Sequence, residues 1–254
     1  MITGFANITI GTANLELATQ EYEQLLGRLP SRCDADSSEF HLSNLALRIV
    51  RSGQSGITEL GFRAEELERT RVRMGRFGLI ADADTEEARV SRKHKLLADK
   101  TRALNLSITD AAHEVEERDS DAKNDIISGL DHIVIQSDAP ERTAFLLGCQ
   151  LGLDMRLDRT NEAWNARLLF FRCGDAIVEV FHPLKAKERL DDDRFFGITW
   201  RVGDIHAAHK RLRASGVAVS EIRTGRKPGT AVCTIKSHTA GVPTLLIGKT
   251  AFPQ

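Results

Sequence analysis

The sequence repeats itself, and the repeat constrains the fold more than any other feature. Phe5–Ile10 (FANITI) aligns with Leu130–Ile135 (LDHIVI), and Leu15–Gly27 aligns with Pro140–Gly152, both at an offset of 125 residues. Asn44–Val50 aligns with Asp175–Phe181 at an offset of 131, as a longer loop in the second copy would give. At an offset of 138, Glu59–Leu79 aligns with Gly197–Val217, so that Phe62 meets Trp200, Arg63 meets Arg201, Met74 meets Leu212 and Gly78 meets Gly216. Self-similarity of this kind marks a duplicated supersecondary unit. It gives two homologous halves, 1–115 and 129–254, joined by a polar, acidic linker over 116–128.

Each half divides again. LDHIVIQS reads as a strand. Asp138 is then a candidate N-cap and Pro140 suits the first turn of a helix. Ala144, Leu147 and Leu151 share its apolar face, and Gly152 stops it. LDMRLDR, ARLLFFRC and AIVEVFH follow as strands, with Gly174 and Asp175 forming a tight hairpin turn. Then the order restarts: GITWRV is a strand, DIHAAHKRLRASG a capped helix, and VAVSEIR, TAVCTIK and PTLLIG are strands. The unit is βαβββ, and its four copies start near Phe5, Thr58, Leu130 and Gly197. The expected class is α+β, with helices on one face of curved mixed sheets. Residues 81–97 should hold the middle strands of the second unit, yet they read as helix or loop.

Several classes are disfavoured. A formal charge of -1 argues against binding nucleic acid or an anionic membrane. No apolar run approaches the roughly 20 residues that span a bilayer. The opening MITGFANITIGTANLEL lacks a basic region and a cleavage pattern, so a cytoplasmic location is expected. Cys33, Cys149, Cys173 and Cys233 are scattered, without a CxxC pair, which disfavours a disulfide framework or a structural zinc site. There is no P-loop, dinucleotide fingerprint or GxSxG elbow.

LDHIVIQS with DAPERTAFLLGCQLGL, then CGDAIVEVFHP, then GITWRVGDIHAAHKRLRASGV resemble the vicinal oxygen chelate superfamily. That group includes glyoxalase I, methylmalonyl-CoA epimerase, extradiol catechol dioxygenases and bleomycin-resistance proteins. The resemblance spans Gly129 to Gly248 and reaches the first half through the repeat. It implies two tandem glyoxalase-like domains in which pairs of units form a cup around a divalent metal. The ligands it implies are a His on the first strand and a Glu on the last strand of each unit. Such donors suit iron, manganese, nickel, cobalt or zinc. Open metal positions would take two neighbouring oxygens of the substrate.

Under this resemblance His132 and Glu179 are metal ligands, and Glu179 is also the candidate catalytic base. The fourth unit offers Gly197 and Leu245 or Leu246 at the matching positions, and the first offers Asn7 and Arg48. The second offers Glu59, with Ser107 or Ile108. If units three and four share a cup, two usual ligands remain, fewer than the three a catalytic metal normally has. If units two and three share one, Glu59, His132 and Glu179 converge. The competing readings are a structural His132–Glu179 pair without metal and a surface position for Glu59.

Thr199 and Arg201 share one face of GITWRV, opposite Ile198, Trp200 and Val202. They should therefore point into the cup as substrate contacts, where Arg201 would meet Glu179 or an anion. Arg223, Arg226 and Lys227 flank or lie in the TGRKPGT loop and suit a carboxylate or phosphate at its mouth. The alternative is a solvated hairpin loop. His182 reads as a strand-end residue, and His206 and His209 as a solvated helix face. The expected function is glyoxalase- or dioxygenase-like, a metal-dependent lyase, isomerase or dioxygenase acting on a small oxygen-rich or aromatic metabolite. The alternative is a metal-free sequestration protein of the bleomycin-resistance type. The expected partner is a small molecule, with a homodimer also open.

Overall fold

The computed structural model describes residues 1–80, 92–110, 124–186 and 190–250. Its first half contains β1 (Ile2–Thr12), α1 (Leu15–Leu26), β2 (Arg32–Cys33), β3 (Ser37–His41), β4 (Ala46–Arg51), β5 (Gly56–Ala64), α2 (Leu67–Arg76), β6 (Lys93–Lys95) and β7 (Leu106–Asp110). The second contains β8 (Ile127–Gln136), α3 (Pro140–Ala144), β9 (Asp154–Asn161), β10 (Ala166–Cys173), β11 (Ala176–Pro183), β12 (Arg194–Asp204), α4 (Ile205–Ala214), β13 (Arg223–Thr224), β14 (Thr230–Ile235) and β15 (Thr244–Lys249). The strands form two open mixed sheets, ordered β2-β3-β4-β1-β5-β7-β6 and β13-β14-β15-β12-β8-β11-β10-β9. The fold is α+β, as the repeat predicts; in each unit the first strand is central, the last strand lies beside it and the earlier ones run outward to the edge. Residues 81–91, most of the unreadable stretch, and most of the expected linker lie outside the described residues.

Packing divides the chain into two compact units. One comprises Met1–Asn7, Glu59–His113 and Ile133–Phe196, and the other Ile8–Thr58, Glu114–His132 and Gly197–Gln254.

In the first, β10 and β11 form the expected hairpin, with Cys173 opposite Ala176. Gly174 turns it at φ 63°. A Cβ there would also lie 2.7 Å from the Thr3 carbonyl, so glycine is required by conformation and by space. The helix after Pro140 differs from the expectation. Ala139, not Asp138, is its N-cap, and only Pro140–Ala144 is α-helical before a π-helical turn over Phe145–Gln150. The Asp138 carboxylate instead accepts the Leu190 amide, while the Ser137 hydroxyl accepts the Ala139 amide at 3.0 Å.

In the second, Asn14 caps α1 by accepting the Leu17 amide at 3.1 Å, and Gly27 ends it at φ 75°. Asp204 caps α4 by accepting the His206 and Ala207 amides at 2.8 and 3.0 Å. Ile198, Trp200 and Val202 of β12 are buried, as are Ile205, Ala208 and Leu212 of α4. Gly248 of β15 admits this packing, since a Cβ there would lie 3.0 Å from Ile205 Cβ. VAVSEIR is not the continuous strand expected. Val219 makes only an isolated bridge to Ile235, and ladder pairing is confined to β13. Side chains intercept the backbone here: Ser220 Oγ accepts the Thr234 amide and Ser237 Oγ the Ala218 amide, both at 2.9 Å.

Candidate functional site

The strand alternation that buries Trp200 turns Thr199 and Arg201 to the opposite face of β12, as expected. Thr199 Oγ1 lies 2.8 Å from Nε2 of His132 on β8. His132 Nδ1 lies 2.9 Å from Asp131 Oδ1. Arg201 Nε stands 3.8 Å from Asp131 Oδ2. Four side chains thus form a carboxylate–imidazole–hydroxyl chain with a guanidinium at its acidic end. Burial alone would push the Asp131 carboxyl up. The hydrogen bond to His132, with the charges of His132, Arg201 and Lys227, outweighs this and holds it below its ordinary value. Lys227 therefore belongs to the same electrostatic neighbourhood.

Asp131 was not among the expected site residues. The available signal was a carboxylate directly before the first-strand histidine, hidden by strict alternation, which assigns neighbours to opposite faces. Arg201 was expected to meet Glu179 or an anion; among the described residues its guanidinium stands 3.8 Å from Asp131.

Glu59 is buried on β5, so the surface reading of it fails. Its Oε1 is 2.5 Å from Lys93 Nζ and accepts the Ser107 hydroxyl at 2.7 Å. Burial raises the pKa of this carboxyl, but the bonds from Lys93 and Ser107 and the charges of Lys93 and Lys95 carry it below the usual range. Glu59 has become one end of an internal ion pair.

Glu179 lies in the compact unit that contains Ile133–Phe196. It is half-buried on β11, directly opposite Phe170 of β10. Residues paired across strands share a face. Phe181 pairs with Leu168, and Leu157 and Arg159 of β9 pair with Phe170 and Leu168. Phe181 approaches Phe196 at 6.0 Å between ring centroids, and the Arg159 guanidinium lies 5.9 Å from the Trp164 ring. Leu157, Trp164 and Phe196 are 46%, 41% and 43% exposed.

The donor set does not suit the divalent metal that the resemblance implies. Among the described residues no three of His, Cys, Asp and Glu come together to hold an ion. The expected convergence of Glu59, His132 and Glu179 is therefore not observed, because Glu59 is held by Lys93 and Ser107. Both His132 ring nitrogens already face a partner. The fourth unit offers no replacement: a Cβ at Gly197 would lie 2.6 Å from the Pro243 carbonyl, and Leu245, opposite Thr199, is apolar.

The remaining candidates are peripheral. His182 donates from Nδ1 to the Ser137 carbonyl at 2.9 Å, and His209 from Nε2 to the Ser220 carbonyl at 3.0 Å. His206 is exposed. Arg223 and Arg226 are exposed beside Lys227, and Arg223 Nη1 reaches only to 3.4 Å from Thr234 Oγ1. The four cysteines are free thiols, Cys173 and Cys233 buried and Cys33 and Cys149 exposed. No helix among the described residues is long and apolar enough to cross a membrane.

Residues 131–234 match the family model of the Glyoxalase/Bleomycin resistance protein/Dioxygenase superfamily. Solved structures of the same architecture include the Mn(II)-bound glyoxalase from Novosphingobium aromaticivorans, with a TM-score of 0.75 at 11% identity over 97% of this chain and 82% of that one. The halotolerant catechol dioxygenase BphC superposes with a TM-score of 0.75 at 14% identity, over 98% of this chain and 87% of that one. The 2,3-dioxygenase LapB from Pseudomonas sp. KL28 gives 0.73 at 13% identity, over 100% and 96%. No curated protein sequence matches the chain. At such identities the likeness is one of fold.

Proposed function

We propose, from the family match over residues 131–234 and the shared fold, that the chain binds a small oxygen-rich or aromatic metabolite through its second half. The observation that carries this reading is the cluster Asp131–His132–Thr199–Arg201, with Lys227 nearby. Its members are pinned to central strands, and each holds the next in place. A half-buried guanidinium held on this strand face offers N–H donors to oxygen atoms, while the buried Thr199 hydroxyl is already engaged with His132. Arg201 would orient the ligand by bidentate contact, and Lys227 would add charge without fixed geometry.

A panel of hydroxybenzoates, catechols and small hydroxy acids tests the reading. Melting temperature and tryptophan fluorescence are followed for each compound. A ligand that raises the melting temperature in proportion to its concentration, and loses this effect in Arg201→Gln, is the expected result. A panel that leaves the wild-type protein unmoved contradicts it.

A further inference from the structure

We infer that the second half has exchanged the divalent cation of its fold family for a fixed organic cation, Arg201 backed by Lys227, and that its ligand is a small carboxylate or phosphate bound without metal. This rests on the small-molecule reading above and adds the ligand's charge and the means of holding it.

Three independent features of this chain converge. The first is closure of the histidine. A carboxylate on Nδ1 is also how a metal-bound imidazole is oriented. Here, however, Nε2, the nitrogen left for a metal, faces the Thr199 hydroxyl at 2.8 Å. The second is closure of the fourth-unit position. Gly197 is packed so tightly against the Pro243 carbonyl, 2.6 Å from where a Cβ would stand, that the backbone itself has taken the space of a ligand side chain. Regaining a donor there requires the backbone to move as well as a substitution. The third is the sign of the charge. Arg201 sets a permanent cation on the strand face of Thr199, 3.8 Å from Asp131, and Lys227 adds positive charge to the same neighbourhood. An ammonium or a metal ion brought beside them would meet repulsion, whereas an oxoanion would be attracted.

Arg201 and Asp131 are separated by 3.8 Å, longer than a hydrogen bond. A ligand carboxylate would compete for the guanidinium through charge-assisted bonds shorter than this contact. Lys227 lies on the exposed loop between β13 and β14, so its contribution is weakened by salt.

The test uses the full-length protein, purified without chelator and dialysed against buffer containing 1,10-phenanthroline and EDTA. Oxalate, benzoate and inorganic phosphate are titrated in by calorimetry, before and after adding back Mn2+ or Zn2+. Metal content is measured on the same samples. The expected result is binding of at least one anion in chelator, unchanged by added metal, with affinity at least tenfold weaker in Arg201→Gln and several-fold weaker in Lys227→Gln. Circular dichroism confirms that both variants are folded, and Arg201→Lys should recover part of the loss. Binding that requires added metal, or about one equivalent of metal retained through dialysis, overturns the inference and leaves the small-molecule reading standing. Hydroxybenzoate or catechol binding with no response to any of the three anions also overturns it, whereas silence to every compound overturns both.

Discussion

Thr199 Oγ1 and His132 Nε2 lie 2.8 Å apart, which joins the first strand of the third repeat to the first strand of the fourth through their side chains. In the first half the residues at the aligned positions are Asn7 and Gly61, and Asn7 Oδ1 stands 2.2 Å from where a Cβ on Gly61 would be. The same two strand positions face each other in both halves, but only the second half builds a hydroxyl–imidazole bond there.

Removing that hydroxyl should be costly. Thr199→Val keeps the shape and leaves a half-buried imidazole nitrogen without its partner, a loss of about 1–3 kcal/mol. Urea denaturation should show this loss, while Thr199→Ser stays within about 0.5 kcal/mol of wild type. Equal stability of the valine variant and the wild type would mean that the bond does not hold the strands.

Glu59 predicts a pH dependence. Its folded-state pKa lies below the ordinary carboxylate value. The ionised form is thus favoured by folding, and its contribution is present above the unfolded-state pKa and lost as pH falls through the folded one. Melting temperature should decline from about pH 5 downward, and the decline should be shallower in Glu59→Gln, which has no charge to lose. Parallel acid limbs for the two proteins would contradict the ion pair with Lys93.

Gly197 offers a steric test. Gly197→Ala forces a Cβ to 2.6 Å from the Pro243 carbonyl, and Gly197→His, the donor that the resemblance implies at this position, does the same. Each should cost about 1–3 kcal/mol or more, as overpacking does. Gly53, where a Cβ would meet nothing within 4 Å, is the control. Gly53→Ala should be neutral in the same chemical denaturation series.

Asp193 is a buried carboxylate whose two oxygens bond Arg102 Nε at 2.9 Å and Thr143 Oγ1 at 2.6 Å. Asp193→Ala removes the carboxylate partner of Arg102, leaving its guanidinium the bond to the Asp191 carbonyl, and should destabilise by about 3 kcal/mol, with Asp193→Asn intermediate. Thermal unfolding monitored by circular dichroism reads this directly.

The repeat made most of the architecture legible, because each copy carried its own caps and alternation. Asp204 before α4, Gly27 after α1 and the Trp200 face of β12 all fall where local chemistry places them. The errors have one cause, which is side chains that compete for backbone groups. Ser220 and Ser237 interrupt the strand expected at VAVSEIR, and Leu190 draws Asp138 away from its helix. At the site, the facing of Thr199 and Arg201 was readable from period two. Asp131 was not, because its role depends on a neighbour in sequence, and period two assigns neighbours to opposite faces. The burial of Glu59 was hidden because its partner Lys93 is distant in sequence, beyond the reach of any local pattern.

The most direct measurement is the electron paramagnetic resonance of Mn2+ titrated into the purified protein at room temperature. If Arg201 stands in place of the metal, the six-line signal of free Mn2+ should grow in proportion to the ion added, from the first aliquot, as in buffer alone. Loss of the signal until about one equivalent has been added would show a protein-held metal and contradict the account.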